Sequence, residues 1–358
     1  VLQLNARENF LRAAEFQTPE WIPCSVSLSP PIWHLYRERL EEVVVRYPSI
    51  FGVYKRGSVD FDNFGIRYKG NRFEDEWGCL WHFLIDGLQG QVVRHPLSNL
   101  DAFDSYKPPD PIALNTVPAE GFPPTPGSFK EACRAVEEAR QARRLTVGSC
   151  PHGFMFQRLY YLRGFTNLMK DFVMEPPALR KLVEMVSNYN LMLIQRWLQV
   201  GVDAMFFGDD LGAQDRLAVN PRAFRKWILP AYSKMFEGVR EAKAHVHLHS
   251  DGHVMEVCED LVEVGVTMLN IQDIVNGIPK IRKALKGRVC VDIDIDRQKI
   301  LPFGKPEEVE RHVEETVSAL RSLEGGLMVT VGIYPPTPLE NIEALCRTLE
   351  RLGGGIKY

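Results

Sequence analysis

The chain has 358 residues, of which 45% are hydrophobic and 25% charged, the balance of a folded globular protein and not of a disordered one. A formal charge of −3 gives no long-range attraction for nucleic acid or an anionic membrane. No run approaches about 18 apolar residues, so a membrane span is not expected either. The opening VLQLNARENFLRAAEF has no signal-peptide pattern, and the seven cysteines (24, 79, 133, 150, 258, 290 and 346) are scattered without a CxxC. These features predict a reduced, cytoplasmic enzyme with neither a disulfide frame nor a cysteine-clustered zinc module.

In chain order, an N-terminal helix precedes a strand at 22–28 (IPCSVSL), and a further extended segment is read near 50–54. Residues 66–94 alternate β-formers with Gly-containing turns, as an antiparallel hairpin insertion would, and 107–127 is a Pro-rich connection. From there short β-branched runs alternate with helical patterns. Strands are predicted at 145–150, 204–210, 245–251, 268–273, 289–296 and 327–332, and helices near 129–144, 176–200, 221–240, 253–264, 307–323 and 338–352. Successive β-then-α units demand a parallel sheet. The predicted fold is a single α/β domain over residues 1–358, a (β/α)8 TIM barrel with an N-terminal antiparallel β excursion. An open doubly wound sheet is the alternative, but no GxGxxG or Walker-type loop follows a strand.

Such a barrel keeps its chemistry at the carboxyl ends of the strands. Side chains alternate along a strand, so His245, His247, His249 and Asp251 share one face of 245–251, with Val246 and Leu248 opposite. Asp292, Asp294 and Asp296 likewise share a face, with Val291, Ile293 and Ile295 behind them. The apolar faces must meet helices, which turns the polar faces inward, where alternate strands contribute to the same layers. Carboxylates roughly 7 Å apart on one strand repel unless something compensates. The candidates are imidazolium on His247 or His249, Arg297, a metal ion, or a substrate bearing N–H groups. Asp209 and Asp210 end another strand, and one of the pair is expected to be a structural acceptor for the following loop. Trp77, Trp81, Phe156, Tyr160 and Tyr161 default to packing; Phe154 is carried as a pocket-lining candidate.

The segment GVDAMFFGDDLGAQDRLAVNPRAFRKWILPAYSKMFEGVREAKAHVHLHSDGHVMEVCEDLVEVGV, with DIDRQKILPFGKPEEVERHV and YPPTPLENIEAL after it, resembles the uroporphyrinogen decarboxylase superfamily over about residues 145–352. That resemblance implies a (β/α)8 barrel with its site at the carboxyl face. The superfamily holds both porphyrinogen decarboxylases and cobalamin-linked methyltransferases. The decarboxylases carry an Arg-rich segment after the first strand, because an acidic tetrapyrrole needs guanidinium partners. Here that place reads SLSPPIWHLYRERL, with Arg37 and Arg39 several residues along a helix. GDDLGAQ and LPFG look like the methyltransferase-type branch. Its thiol methyltransferases hold zinc with a His-x-Cys pair and a distant Cys, keeping the bound thiol as thiolate. The corresponding positions here read His249-Ser250-Asp251 and VTVGIYPPTP, without cysteine. Zinc on His249, Asp251 and another carboxylate stays chemically open, as does a metal-free acidic pocket.

The resemblance therefore implies a methyltransferase of corrinoid and one-carbon metabolism. It would move a methyl group between a corrinoid and an aryl methyl ether, a methylamine-like compound or a folate. Asp210, His249, Asp251, Asp292 and Asp294 are the candidate catalytic residues, and Asp209, His247, Arg297, Tyr334 and Phe154 the candidate substrate contacts. The candidate cofactors are a corrinoid, zinc, and tetrahydrofolate as substrate; the candidate partners are a small molecule, a corrinoid protein and a second copy in a homodimer. Two alternatives stand beside it. One is a decarboxylase of a small acid, with Arg297, Arg158 or Arg163 as its anion site; the other is a non-catalytic ligand-binding barrel.

Overall fold

The computed structural model describes residues 4–111 and 129–355, with side chains to residue 353. The expected connection at 107–127 lies outside the described residues from 112 onward. The strands among them are β1 (Ile22–Leu28), β2 (Arg72–Glu74), β3 (Leu80–His82), β4 (Gln91–Arg94), β5 (Val147–Ser149), β6 (Ala204–Gly208), β7 (His245–Ser250), β8 (Met268–Gln272), β9 (Cys290–Asp294), β10 (Leu327–Ile333) and β11 (Gly354–Gly355). The chain divides into two compact units, Ile66–Val266 and the remainder, Val1–Gly65 with Thr267–Tyr358.

The split unit opens with helix Ala6–Ala14, whose start is a reciprocal cap. Asn5 Oδ1 accepts from the Glu8 backbone N–H at 2.9 Å while the Glu8 carboxylate accepts from the Asn5 N–H, satisfying two of the helix's orphan donors. Its sheet runs β11-β1-β10-β9-β8 with every neighbour parallel. Strands β8 and β9 are buried at every residue, as strands covered on both faces must be. The extended segment expected near 50–54 is instead a short helix, Pro48–Phe51. Pro48 is pre-set for a first helical turn, and Gly52, at φ 75°, supplies the left-handed stop.

Unit 66–266 holds a parallel sheet in the order β5-β6-β7 and a separate antiparallel sheet, β2-β3-β4. The hairpin expected at 66–94 is thus three short strands. Helix Phe156–Arg163 follows β5, and helix Pro177–Val200 leads to β6. The helix expected at 221–240 carries a π turn over Phe224–Ile228, where the Leu229 N–H reaches back to Phe224 O. Pro230 has no N–H to give Lys226, and its ring crowds that carbonyl, so the ladder widens there. The helix read at 253–264 is only Cys258–Glu263, because residues 251–257 are held by another loop. Gly212 N–H donates to Asp251 O (3.1 Å) and His253 N–H to Ala213 O (2.7 Å). A Cβ on Gly212 would lie 2.4 Å from Gly252 C, and Gly252 itself has φ +79°, so only glycine lets the two backbones approach this closely.

One buried carboxylate ties this unit together. Asp209, at the end of β6 and fully buried, accepts from the backbone N–H groups of Phe156 (2.5 Å) and Gln157 (2.8 Å) and from the Tyr232 hydroxyl (2.7 Å). It fastens the start of helix Phe156–Arg163 and the helix Leu229–Glu241 to the strand end. An amide in its place would turn N–H groups toward donors. Asp209→Asn is expected to cost on the order of 3 kcal/mol, read from the urea midpoint. A change under about 1 kcal/mol would show that the carboxylate is not the anchor.

In the split unit, His312 Nε2 lies 2.6 Å from Oδ2 of the buried Asp273. Burial opposes the imidazolium charge, but the Asp273 carboxylate outweighs it and raises the His312 pKa above its usual 6.5. The folded state therefore binds this proton more tightly than the unfolded chain. The stabilisation is complete below the unfolded pKa and is lost as pH rises through the raised folded one. His312→Gln should lower the denaturation midpoint at pH 6, and the difference from wild type should shrink toward pH 9. A pH-independent difference would refute the linkage.

Candidate active site

Three neighbouring parallel strands of unit 66–266 end together, and each delivers polar side chains just past its carboxyl end. After β5 the chain runs Cys150-Pro151-His152-Gly153; after β6 come Asp209 and Asp210; β7 closes on His249, Ser250 and Asp251. Strand alternation separates the two aspartates of β6: Asp209 is turned into the helices, and Asp210 lies among imidazoles. His152 Nε2 is 3.4 Å and His249 Nε2 3.6 Å from Asp210 Oδ1, and His249 Nε2 is 3.5 Å from Asp251 Oδ1. The side chains of His152 and His249 are each 25% exposed and that of Asp210 27%, so solvent or a ligand can reach them. Gly208 makes room for His152: a Cβ there would sit 2.5 Å from His152 Cδ2.

Charge is unevenly held in this cluster. Burial opposes a proton on His152, but the Asp210 carboxylate, with Asp209 and Asp251 adding to it, pushes its pKa up to about 9. Burial works against ionised Asp210 too, and the two imidazoles with the Asp251 N–H (3.1 Å from Oδ1) hold it well below the usual carboxylate range. Asp209 is raised to about 6 by burial, partly offset by its own three donors.

The donor set suits a divalent metal. His152, Asp210 and His249 each offer one ligand atom within 4.8 Å of the others, the one such group among the described residues. Zinc bonds of about 2.0–2.1 Å in a tetrahedron put ligand atoms about 3.3–3.4 Å apart, close to the 3.4 Å and 3.6 Å that separate Asp210 Oδ1 from His152 Nε2 and from His249 Nε2. Two imidazoles and a carboxylate are ordinary ligands for such an ion, so the residues fit one. Sulfur does not contribute: Cys150, two residues before His152, is buried, and burial pushes its thiol pKa far up.

The sequence-derived candidates divide. Asp210, His249 and Asp251 come together. Asp209 is buried beneath them with both oxygens accepting protein donors, an anchor and not the substrate contact expected. His247 is buried and stacked on Phe206, with centroids 4.2 Å apart. Phe154 is 2% exposed and packs against Phe207 and Tyr232, so it belongs to the core and does not line a pocket. Asp292, Asp294, Arg297 and Tyr334 belong to the split unit. There Asp292 accepts from Thr330 Oγ1 (3.0 Å), and Arg297 lies 3.4 Å from Asp294 and 5.3 Å over the Tyr334 ring. Asp296, on the same face by alternation, receives the N–H groups of Gln298, Lys299 and Ile300 and is a turn cap. His152 and Gln157 were missed. For His152 the signal is position, since CPHG follows a strand end as GDD and HSD do.

Two of the three anion-site arginines considered for a decarboxylase are tightly paired. Arg158 is buried against Asp75 at 3.2 Å and lies over the Trp77 and Tyr161 rings. Arg163 pairs with Asp171 at 2.6 Å, and Arg37 grips Asp62 with both guanidinium NH2 groups.

Among known proteins, the chain is 21% identical over 182 residues to the methylcobamide:CoM methyltransferase MtaA of Methanosarcina barkeri strain Fusaro, and 22% identical to a second Methanosarcina barkeri MtaA. Each match covers 50% of this chain and 50% of the relative, so the chain spans about half the length of the curated relatives it matches. Its fold is similar to that of a methyltransferase from Methanosarcina mazei, with TM-score 0.62 and 16% identity over 97% of this chain and 99% of that one. The uroporphyrinogen decarboxylase (URO-D) family model matches residues 83–352, and the chain belongs to that family.

Proposed function

We propose that this chain is a corrinoid-dependent methyltransferase whose reacting heteroatom is handled by the His152–Asp210–His249 cluster. The observation that carries the reading is that cluster, standing where three strands end, in a chain whose curated relatives are methylcobamide methyltransferases. Family membership alone leaves decarboxylation open, but two of the arginines that would hold an acid, Arg158 and Arg163, are paired with Asp75 and Asp171, and the third, Arg297, lies 3.4 Å from Asp294.

Methyl transfer is an in-line displacement, so the protein must hold donor and acceptor in register and manage charge on one heteroatom. A divalent ion held by His152, Asp210 and His249 supplies Lewis-acid stabilisation of that atom when bound. Asp251, 38% exposed beside His249, is placed to accept a hydrogen bond from the substrate. Asp292 and Asp294, with Arg297 and Tyr334, are proposed as the second group of catalytic and substrate-contacting side chains. The candidate methyl sources stay those read from the sequence: an aryl methyl ether, a methylamine-like compound or methyltetrahydrofolate. The other end of the transfer is a corrinoid carried by a partner protein.

A single closed (β/α)8 barrel is part of the proposal. It is supported by parallel βα units in both halves of the chain and by a family match that runs from one into the other. A cytoplasmic setting fits seven cysteines that are all free, and among the described residues no helix is long and apolar enough to cross a membrane. A homodimer remains the proposed assembly.

The direct test mixes the protein with reduced cobalamin and each methyl donor in turn, following methylcobalamin by its visible spectrum. One donor should react, and His249→Ala or His152→Ala should slow that reaction by about 100-fold or more without loss of the folded state. Silence with every donor, combined with carbon dioxide release from a small acid, would overturn the assignment. Gly208→Ala is a subtler probe. Its new methyl should displace His152, lowering zinc content in equilibrium dialysis while the melting temperature moves by only a few degrees. Unchanged zinc binding would remove His152 from the ligand set.

A further inference from the structure

The Asp210 carboxylate must present one oxygen to two imidazoles and keep the other from competing. We propose that Gln157 is the positioning residue that does this: it fixes which oxygen of Asp210 faces His152 and His249, and so sets how tightly the cluster holds a divalent cation. The inference rests on the cation reading of that cluster.

Gln157 is 5% exposed and grips Asp210 at two points. The Asp210 backbone N–H donates to Gln157 Oε1 at 2.9 Å, and Gln157 Nε2 donates to Asp210 Oδ2 at 3.2 Å. The first contact settles the orientation of the amide, because a backbone N–H can only donate and must meet the carbonyl oxygen. The N–H groups are thereby turned to the carboxylate. With Oδ2 engaged, Oδ1 is the oxygen left for His152, His249 and the Asp251 N–H.

The rest of the environment holds the amide in that role. Gln157 is the second residue of helix Phe156–Arg163, and its own N–H is fixed on Asp209 Oδ1 at 2.8 Å. Nε2 also lies 3.1 Å from the Tyr161 hydroxyl and 3.3 Å from that of Tyr160. Two N–H groups thus face three oxygens, and the hydroxyls can act as donors or acceptors whereas the carboxylate can only accept. Asp210 is the partner that cannot do without the amide. Groups that orient a metal ligand from behind are typically worth 10–100-fold in metal affinity.

The test uses the full chain with Zn2+ and Co2+ as probes, titrated against a chromophoric chelator, and the Co2+ absorption spectrum as a reporter of coordination. Gln157→Met keeps the side-chain length and removes both polar groups; Gln157→Asn keeps the amide but is too short to reach both points. Both variants should bind Zn2+ 10–100-fold more weakly than wild type and shift the Co2+ spectrum. In a folded variant, unchanged affinity and an unchanged spectrum would overturn the inference and leave the cation reading standing. A drop in melting temperature with metal affinity intact would mark Gln157 as merely structural and would also overturn it. Failure of the wild type to bind either ion would overturn the cation reading and this inference with it.

Discussion

Everything the site needs depends on a carboxylate that takes no part in it. An isolated buried charge is among the most expensive things a fold can contain, and Asp209 is tolerable only because two backbone N–H groups and a tyrosine hydroxyl converge on it. Those donors come from two helices, so satisfying the charge also dictates where the helices start. Once Phe156 and Gln157 are pinned to the end of β6, the chain has only the six residues 150–155 in which to return from β5, and His152 is one of them. Gly208 then decides how close its ring comes. The next residue along the strand is turned the other way, and the same side-chain type becomes the half-buried Asp210 among the imidazoles. Strand alternation alone separates anchor from functional group.

A second buried carboxylate braces the same helix from outside the parallel sheet. Asp75, in the antiparallel segment, accepts from the Trp77 and Cys79 backbone N–H groups, from Trp81 Nε1 and from Arg158. Arg158 lies on the helix one residue beyond Gln157, over the rings of Trp77 and Tyr161, and Trp81 meets Tyr161 edge-on at 4.9 Å. The insertion is therefore a clamp on the residues behind the ligand cluster. It also explains why two arginines that looked like an anion site are not one, since Arg158 compensates a carboxylate and Arg163 does the same for Asp171.

Periodicity made the strands legible. The predicted 22–28 strand and the six after residue 145 all appear within two residues of their expected ends, because each is an apolar run cut off by turn residues. It also picked out Asp210, His249 and Asp251, whose type and position both stand out and which the structure brings together. It failed where the answer depends on a partner distant in sequence. Nothing local distinguishes Asp209 from Asp210, or shows that His247 stacks on Phe206 and Phe154 on Tyr232. His152 and Gln157 escape periodicity for a related reason: β5 is only three residues long, too short to mark a face, so that only its place after a strand end points to His152. The short helix at 48–51 was misread because Ile50 and Phe51 are β-formers, while Pro48 and Gly52 set the backbone.

Oxygen and nitrogen donors without sulfur would change how a metal must be chosen. Thiolates select soft ions by chemistry, whereas imidazole and carboxylate accept several divalent ions with little preference. An N,N,O cluster must then discriminate by geometry, which requires ligands that cannot adjust to whatever arrives. The loops supply that rigidity. The Gly212–Gly252 contact locks the turn bearing Asp251 against the turn bearing Asp210, and the Leu211 N–H on Ser250 Oγ at 3.0 Å closes the same seam. Gly208 walls in one imidazole, and Gln157 holds the carboxylate. An ion held by the cluster would thus be selected by the backbone more than by the donor atoms, and the glycines and the buried amide around this cluster would then matter as much as the three side chains that point into it.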